Sequence, residues 1–272
     1  MGAGLSSCAF GMKGPPCTRT SACSASTQAL GPASRTLRSA RIPWPLPRGT
    51  ECVLTRVALL RLLAMCALRP PGTAEPQLST RDRSKDGMTV GEGTAFFWLK
   101  PGEAAISRKV TKLGLLCGYS TVTGRRDLFS QAADDICRCM ERSFGEAKLD
   151  FWHSDLIFGQ ACGLRQVDRE LQAISTLLPK SRDSLIVISI RGQMRHTFGA
   201  SGSINLTAAV RALQGGCVPS TRSLEETYPA FDTLHIFKTS CSIPSRNTLI
   251  NSAGFGGVHD SMVTLSLRLK SG

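Results

Sequence analysis

A cysteine delivered to the first turn of a helix is the most reactive arrangement this chain offers. The segment reads Gly14-Pro15-Pro16-Cys17-Thr18-Arg19-Thr20-Ser21-Ala22-Cys23-Ser24-Ala25-Ser26. Residues 15–22 have an extended pattern and run into a small-residue helical start at Cys23. A helix N-terminus carries partial positive charge and free N–H groups, which favour the nucleophilic thiolate. On its own, Cys23 is more simply read as a small buried side chain. Three more segments bear on the choice. Asp86-Gly87-Met88-Thr89-Val90-Gly91-Glu92-Gly93 is a glycine-punctuated turn ahead of a strand. Arg195-His196-Thr197-Phe198-Gly199-Ala200-Ser201-Gly202 sets a histidine just before a helix of small residues, where a cap or a packed side chain is the plainer explanation. Asn251-Ser252-Ala253-Gly254-Phe255-Gly256-Gly257 is a strand end opening into a loop that is either a simple turn or a close backbone approach to a ligand.

The elements that must hold these residues read as an alternation of strands and helices. Helical patterns cover residues 23–40, 54–68, 128–143, 167–178 and 198–213. Pro32 is expected to break or kink the first of them. Strand patterns cover residues 94–99, 112–119, 149–152, 184–190, 234–238, 248–251 and 262–269. The run Ser-Leu-Ile-Val-Ile-Ser-Ile at 184–190 is apolar throughout, the mark of a strand covered on both faces. Residues 42–49, with three prolines, cannot sit comfortably in a central strand, and residues 69–86 are a loop rich in proline and charge. The alternation argues for a layered α/β fold.

Composition narrows the function classes. The chain has 272 residues, 42% of them hydrophobic, enough for a sizeable core. Its net charge of +13 would attract an acidic protein, an anionic membrane or nucleic acid. The basic residues are scattered and form no nucleic-acid-binding signature, so no nucleic-acid partner is expected. The eleven cysteines include Cys137 and Cys139, one residue apart, but no matching pair follows at zinc spacing. No metal site is expected, and reduced thiols in an intracellular compartment, cytoplasm or plastid, fit this pattern. No secretory signal is visible. The most apolar stretch, residues 52–68, contains Arg56 and Arg61 and is too short for a transmembrane segment.

Taken in order, the Ala22-Cys23-Ser24-Ala25-Ser26 segment, the acidic turn, the histidine before a small-residue helix and the Asn251–Gly257 loop resemble the β-ketoacyl synthase (ketosynthase) family of fatty acid and polyketide synthases. The resemblance covers about residues 10–269. It implies a thiolase-like α-β-α-β-α layered fold built from two similar halves. Residues 1–100 would be a remnant of the N-terminal half carrying the nucleophile, its first strands missing, and residues 101–272 the C-terminal half. It also implies acyl loading on Cys23, then decarboxylative condensation with a malonyl thioester. His196 would assist decarboxylation, and the backbone N–H groups of Cys23 and Phe255 would form the oxyanion hole. Gly254, Gly256, Gly257 and Arg191, the last in the place of the family's lysine, would bind substrate. No cofactor of its own is implied, because the phosphopantetheine arm belongs to the partner, an acyl carrier protein. A homodimer joined through residues 16–22 is also implied.

The sequence departs from the family in ways that leave a second reading open. The family's first catalytic histidine has two candidate positions. Counting back without gaps from Glu170 reaches Gly159, whereas an insertion would put His153 there. Arg195 stands where the family has glycine. A catalytically impaired partner or chain-length subunit, or a fragment without function, is therefore the alternative to an active synthase.

Overall fold

The computed structural model describes residues 17–69, 80–107, 111–124, 131–164, 168–179, 185–242 and 246–267. Residues 14–16, 128–130, 167, 184 and 268–269 of the expected elements lie outside these. Cys23 sits in a 3-10 turn, Ala22–Ser24, that leads directly into α1 (Ala25–Arg38). The N-terminal half continues with β1 (Arg48–Glu51), α2 (Arg56–Ala64), β2 (Gly93–Phe96) and α3 (Gly102–Ser107). Then come β3 (Leu115–Thr123), α4 (Ala133–Glu146), β4 (Leu156–Phe158), α5 (Arg169–Leu177) and β5 (Ile186–Ile188). The chain closes with α6 (Arg191–Met194), α7 (Ser201–Gly215), the short pair β6 (Cys217–Val218) and β7 (Cys241–Ser242), and the hairpin β8 (Asn247–Gly254) and β9 (Val258–Leu265).

The main sheet has the order β3-β9-β8-β4-β5, with β4 parallel to both β5 and β8 and β9 antiparallel to β8 and β3. Side chains alternate across it as strand geometry requires. Leu156, Phe158, Ile186, Ile188, Ile250 and Met262 pack against Leu30 of α1 and Leu206, Ala209 and Val210 of α7. Ile157, Val187, Leu249 and Val263 face Ile136, Met140 and Phe144 of α4 and Leu171 and Ile174 of α5. Each such side chain contributes about 1.5–3 kcal/mol on full burial. The apolar run is thus covered on both faces over its described residues 185–190, although β5 lies at the edge of the sheet.

Beyond α1 and α7 lies a two-stranded antiparallel ribbon, β1 with β2, where the expected layering has a second sheet. The prolines of residues 42–49 extend this ribbon from one side only. Phe97 N–H donates to the Pro47 carbonyl (3.0 Å) and Leu99 N–H to the Pro45 carbonyl (3.2 Å). Proline accepts but cannot donate, so the strand proper starts only at Arg48. Phe96 and Trp98 on the ribbon and Val57, Leu60 and Leu63 on α2 are exposed.

Three local expectations are corrected. Helix α1 runs through Pro32 without ending, held by its packing on β3, where a Cβ on Gly31 would lie 2.2 Å from the Tyr119 ring. Residues 149–152 are not a strand: Phe151–His153 form a 3-10 turn, and β4 follows it. Residues 234–238 make a single bridge, His235 to Ile186, rather than a strand.

Candidate active site

Parallel strands deliver their C-terminal ends to one edge of the sheet, the usual place for a site in an α/β fold. Here β4 runs into Gly159, Gln160 and Cys162, β5 into Arg191, and β8 into Phe255. The start of α1 is held against this edge. Thr27 Oγ1 hydrogen-bonds Ser252 Oγ (2.8 Å), and a Cβ on Gly254 would lie 2.5 Å from the Ser21 carbonyl. Gly254 is therefore a close approach between β8 and the Cys23 turn. Gly256 (φ +81°) and Gly257 (φ +77°) shape the β8–β9 turn. Chain geometry accounts for all three glycines.

Cys23 and Phe198 lie in one buried cluster, with Phe255 and Cys162 partly buried at its margin. The Phe255 ring meets Phe198 edge-on at 6.4 Å, and Phe198 lies 4.3 Å from the His196 ring. The expectation of an activated thiolate does not hold for the closed site. Cys23 is 2% exposed, and burial pushes its thiol up to about 12, with the Arg191 charge pulling the other way. Cys23 lies in a 3-10 turn of three residues that leads into α1, and there the cost of desolvating a thiolate outweighs the charge of the helix start.

His196 is buried, and burial followed by the Arg191 charge holds its pKa well below the ordinary histidine value. The ring is neutral. Its Nδ1 accepts from Phe198 N–H at 3.0 Å, which fixes the proton on Nε2, and that N–H is buried without a partner among the described residues. Arg191 is equally buried. Its Nε donates to the Gln160 carbonyl and its Nη2 to Gln160 Oε1 (2.7 Å), while Nη1 has no partner among the described residues.

His153 is not in this site. It precedes β4, at the opposite end of the strand from Gly159, and its Nδ1 accepts from Asp150 N–H at 3.1 Å. It is exposed and caps its own turn. Gly159 occupies the strand's site end, and its missing side chain is replaced from elsewhere. A Cβ there would lie 2.0 Å from Nη2 of Arg81 and 2.8 Å from Glu170 Oε2. The Arg81 guanidinium is fully buried and donates to Asp168 Oδ2 (2.6 Å) and Glu170 Oε2. Burial alone would lower its pKa, but the two carboxylates together raise it above the ordinary arginine value. Glu170 Oε1 also accepts from Gln160 N–H (2.8 Å) and Asn251 Nδ2 (2.6 Å). Arg81, Gln160 and Asp168 escaped the sequence reading because Arg81 lies in a charged loop, a context that ordinarily means solvent.

Strained backbone gathers at the same edge. Ala22 (φ +47°), Ala161 (φ +38°), Arg195 (φ +63°) and Phe198 (φ +36°) all hold conformations that L-residues rarely adopt. Arg195, with ψ −176°, lies in a region that is essentially glycine's alone. Arg195→Gly should therefore raise stability by about 1 kcal/mol. Denaturant unfolding measures it, and a decrease would show that the Arg195 side chain outweighs its backbone cost.

The N-terminal domain of β-ketoacyl synthases matches residues 1–105, and their C-terminal domain matches residues 113–225. The chain belongs to the β-ketoacyl synthase family. It is 26% identical over 94% of its length to an actinorhodin polyketide β-ketoacyl synthase of Streptomyces coelicolor, covering 56% of that protein. It is 26% identical over 98% of its length to the mitochondrial 3-oxoacyl-[acyl-carrier-protein] synthase of Arabidopsis thaliana, covering 60% of it. The chain thus spans well under two thirds of the length of these synthases. Among solved structures, a type II polyketide ketosynthase in complex with its acyl-carrier protein superposes with a TM-score of 0.92 at 23% identity, over 97% of this chain and 66% of that one. The ishigamide ketosynthase/chain length factor gives 0.84 at 21% identity, over 93% and 61%. These likenesses establish the thiolase-like ketosynthase fold. Among the described residues, no group of three or more His, Cys, Asp and Glu could hold a metal, and no helix is long and apolar enough to cross a membrane.

Proposed function

We propose that this β-ketoacyl synthase family member transfers acyl groups between thioesters, with Cys23 as the acceptor, as in fatty acid or polyketide biosynthesis. The observation that carries this reading is the convergence of Cys23, Phe255 and a neutral His196, its Nε2–H unpartnered among the described residues, at one strained edge of the sheet. Cys23 Sγ attacks the donor's thioester carbonyl, the carbon–sulfur bond to the donor breaks, and the proton given up by Cys23 leaves with the departing thiol. The Cys23 and Phe255 N–H groups meet the negative oxygen of the tetrahedral intermediate. In condensation, a malonyl thioester would lose carbon dioxide, its enolate carbon would attack the acyl carbonyl on Cys23 and the Cys23 thiolate would leave, with His196 Nε2–H donating to the enolate oxygen.

Acyl carrier protein is the donor we infer, its phosphopantetheine arm supplying the thioester, with no cofactor held by the chain itself. The +13 net charge favours an acidic carrier, and one solved relative is in complex with such a protein. The proposed setting is intracellular. Residues 17–20 are exposed beside the Cys23 turn, where a second copy would pair, and sedimentation across concentrations tests that dimer. For the transfer itself, free thiol released from an acyl carrier protein is followed with wild type and Cys23→Ala. Release that needs Cys23 and weakens as salt rises is expected, and equal release by Cys23→Ala would remove Cys23 from the reaction.

One observation favours a limited catalyst. The side-chain space at Gly159, the ungapped position of the family's first histidine, is held by the charge-compensated Arg81 guanidinium, so loading is better provided for than condensation.

A further inference from the structure

Asp260 is a buried carboxyl group that the proposed reaction does not use. It lies on β9 between Thr121 of β3 and Ser252 of β8, with none of its surface exposed. Tyr119 Oη donates to its Oδ1 (2.7 Å) and Gln28 Nε2 to its Oδ2 (3.2 Å). The two donors come from different elements. Tyr119 stands on β3, whereas Gln28 lies near the start of α1, five residues after Cys23. Among the described residues, no cation is paired with Asp260. Arg35 of α1 lies over the Tyr119 ring, 5.0 Å from its centroid, but is engaged by Glu146 and the Tyr119 carbonyl. β8 presents the neutral Ser252, and from α4, across the sheet, the Cys139 thiol also senses Asp260. A buried carboxylate without a counter-charge is expensive to keep. Burial therefore lifts Asp260 above the ordinary carboxylate value, against the pull of Tyr119, Ser24, Thr121 and Gln28.

We propose that Asp260 is a positioning residue for Cys23: its carboxyl group is the joint through which β9 and β3 seat the start of α1, and with it the nucleophile. The inference rests on Cys23 as the acyl acceptor. Backbone donors meet a tetrahedral oxyanion only while the Cys23 turn is held in register with the Phe255 loop, and small displacements are costly there. The joint is strongest with the carboxyl neutral. A group whose pKa is higher in the folded than in the unfolded state contributes its stability at low pH and loses it as pH rises through the folded value. Acyl loading should weaken over that rise, although thiol ionisation alone would strengthen it.

Asp260→Ala removes the joint. Asp260→Asn copies the neutral acid, with an oxygen for Tyr119 and an N–H for the Gln28 amide oxygen once that amide turns over. Two rates are followed at Cys23 by peptide mapping: loading from an acyl thioester, which needs an aligned turn, and alkylation by iodoacetamide, which needs only access. In the alkylation the Sγ–carbon bond forms, iodide leaves and the thiol proton goes to solvent. Buried Cys139 reports unfolding. In Asp260→Ala, loading should fall and alkylation rise, each about tenfold, with Cys139 still protected and loading rescued in Asp260→Asn. Thiol ionisation cancels in the ratio of wild-type to Asp260→Asn loading, which should fall from about one as pH rises from about 5 to 9. This comparison decides the matter even if Asp260→Ala does not fold. A ratio constant with pH, or unchanged rates in Asp260→Ala, overturns the joint. So does labelling of Cys139 in step with Cys23, which would make Asp260 a support of the whole sheet. If wild type does not load Cys23 at all, the nucleophile reading fails, and the alkylation ratio over the same pH range then decides whether Asp260 seats the turn.

Discussion

Arg81→Met should destabilise the protein by about 3–5 kcal/mol at neutral pH, the largest effect expected from any single side chain described above. The substitution keeps the bulk and removes the cation, leaving Asp168 and Glu170 buried with Lys85, 3.8 Å from Asp168, as the remaining ion-pair partner among the described residues. The pH dependence carries a definite sign. Burial alone would raise the pKa of Asp168, but Arg81 and then Lys85 hold it below the ordinary carboxylate range. A carboxylate depressed in the folded state contributes stability above its unfolded pKa of about 3.9 and loses it as pH falls through the folded value. Arg81→Met removes that contribution, so its deficit should be greatest at neutral pH and shrink toward pH 4, where protonation relieves the stranded Asp168. Arg81→Lys should fall between, since one ammonium cannot fork to both partners. Urea unfolding of the three proteins at pH 7 and pH 4.5 measures this. A deficit independent of pH would assign Arg81 a packing role only.

Condensation should lag loading by about 10²–10⁴-fold, the usual contribution of one positioned proton-transfer group. Acyl transfer needs a thiol, a proton acceptor in the departing thiolate and two backbone donors. Decarboxylation also needs hydrogen-bond donors around the malonyl unit, and His196 supplies one of them. At Gly159 there is no imidazole, and the guanidinium in its place already serves Asp168 and Glu170. Mixing acyl-loaded protein with malonyl-carrier protein should therefore leave the acyl group on Cys23 while the 3-oxoacyl product appears slowly. Product formed as fast as loading would show that another donor, the Nε of Arg81 or Nη1 of Arg191, does the histidine's work. Gly159→His alone is not expected to restore the rate, because its Cβ would stand 2.0 Å from Arg81 Nη2.

The features legible in the sequence were those set by local pattern. The apolar run at 184–190, the helical spacing of Ile136, Met140 and Phe144, and the glycines of the Asn251–Gly257 loop each state their own backbone requirement. The order of the motifs carried the family, and with it Cys23, His196 and Phe255 as neighbours. What stayed hidden depends on contacts distant in sequence. Arg81 is a charged loop residue until Asp168 and Glu170, 87 and 89 positions away, close on it. Pro32 breaks an isolated helix, yet α1 is held by the sheet beneath it. His153 has the right residue type close to the right strand, and only the direction of β4 shows that it lies at the wrong end. Residues 149–152 have strand composition, but the chain is still turning there and pairs only from Leu156.

The central claim is that Cys23, alone among eleven cysteines, accepts the acyl group. Wild-type protein is incubated with an isotope-labelled acyl thioester, digested at low pH to preserve thioesters, and every cysteine peptide is measured by mass spectrometry. The account predicts the acyl mass on the Cys23 peptide, absent in Cys23→Ala, with exposed Cys52, Cys66 and Cys217 unmodified. Acylation spread over those exposed thiols, with the Cys23 peptide bare in a folded protein, would contradict it.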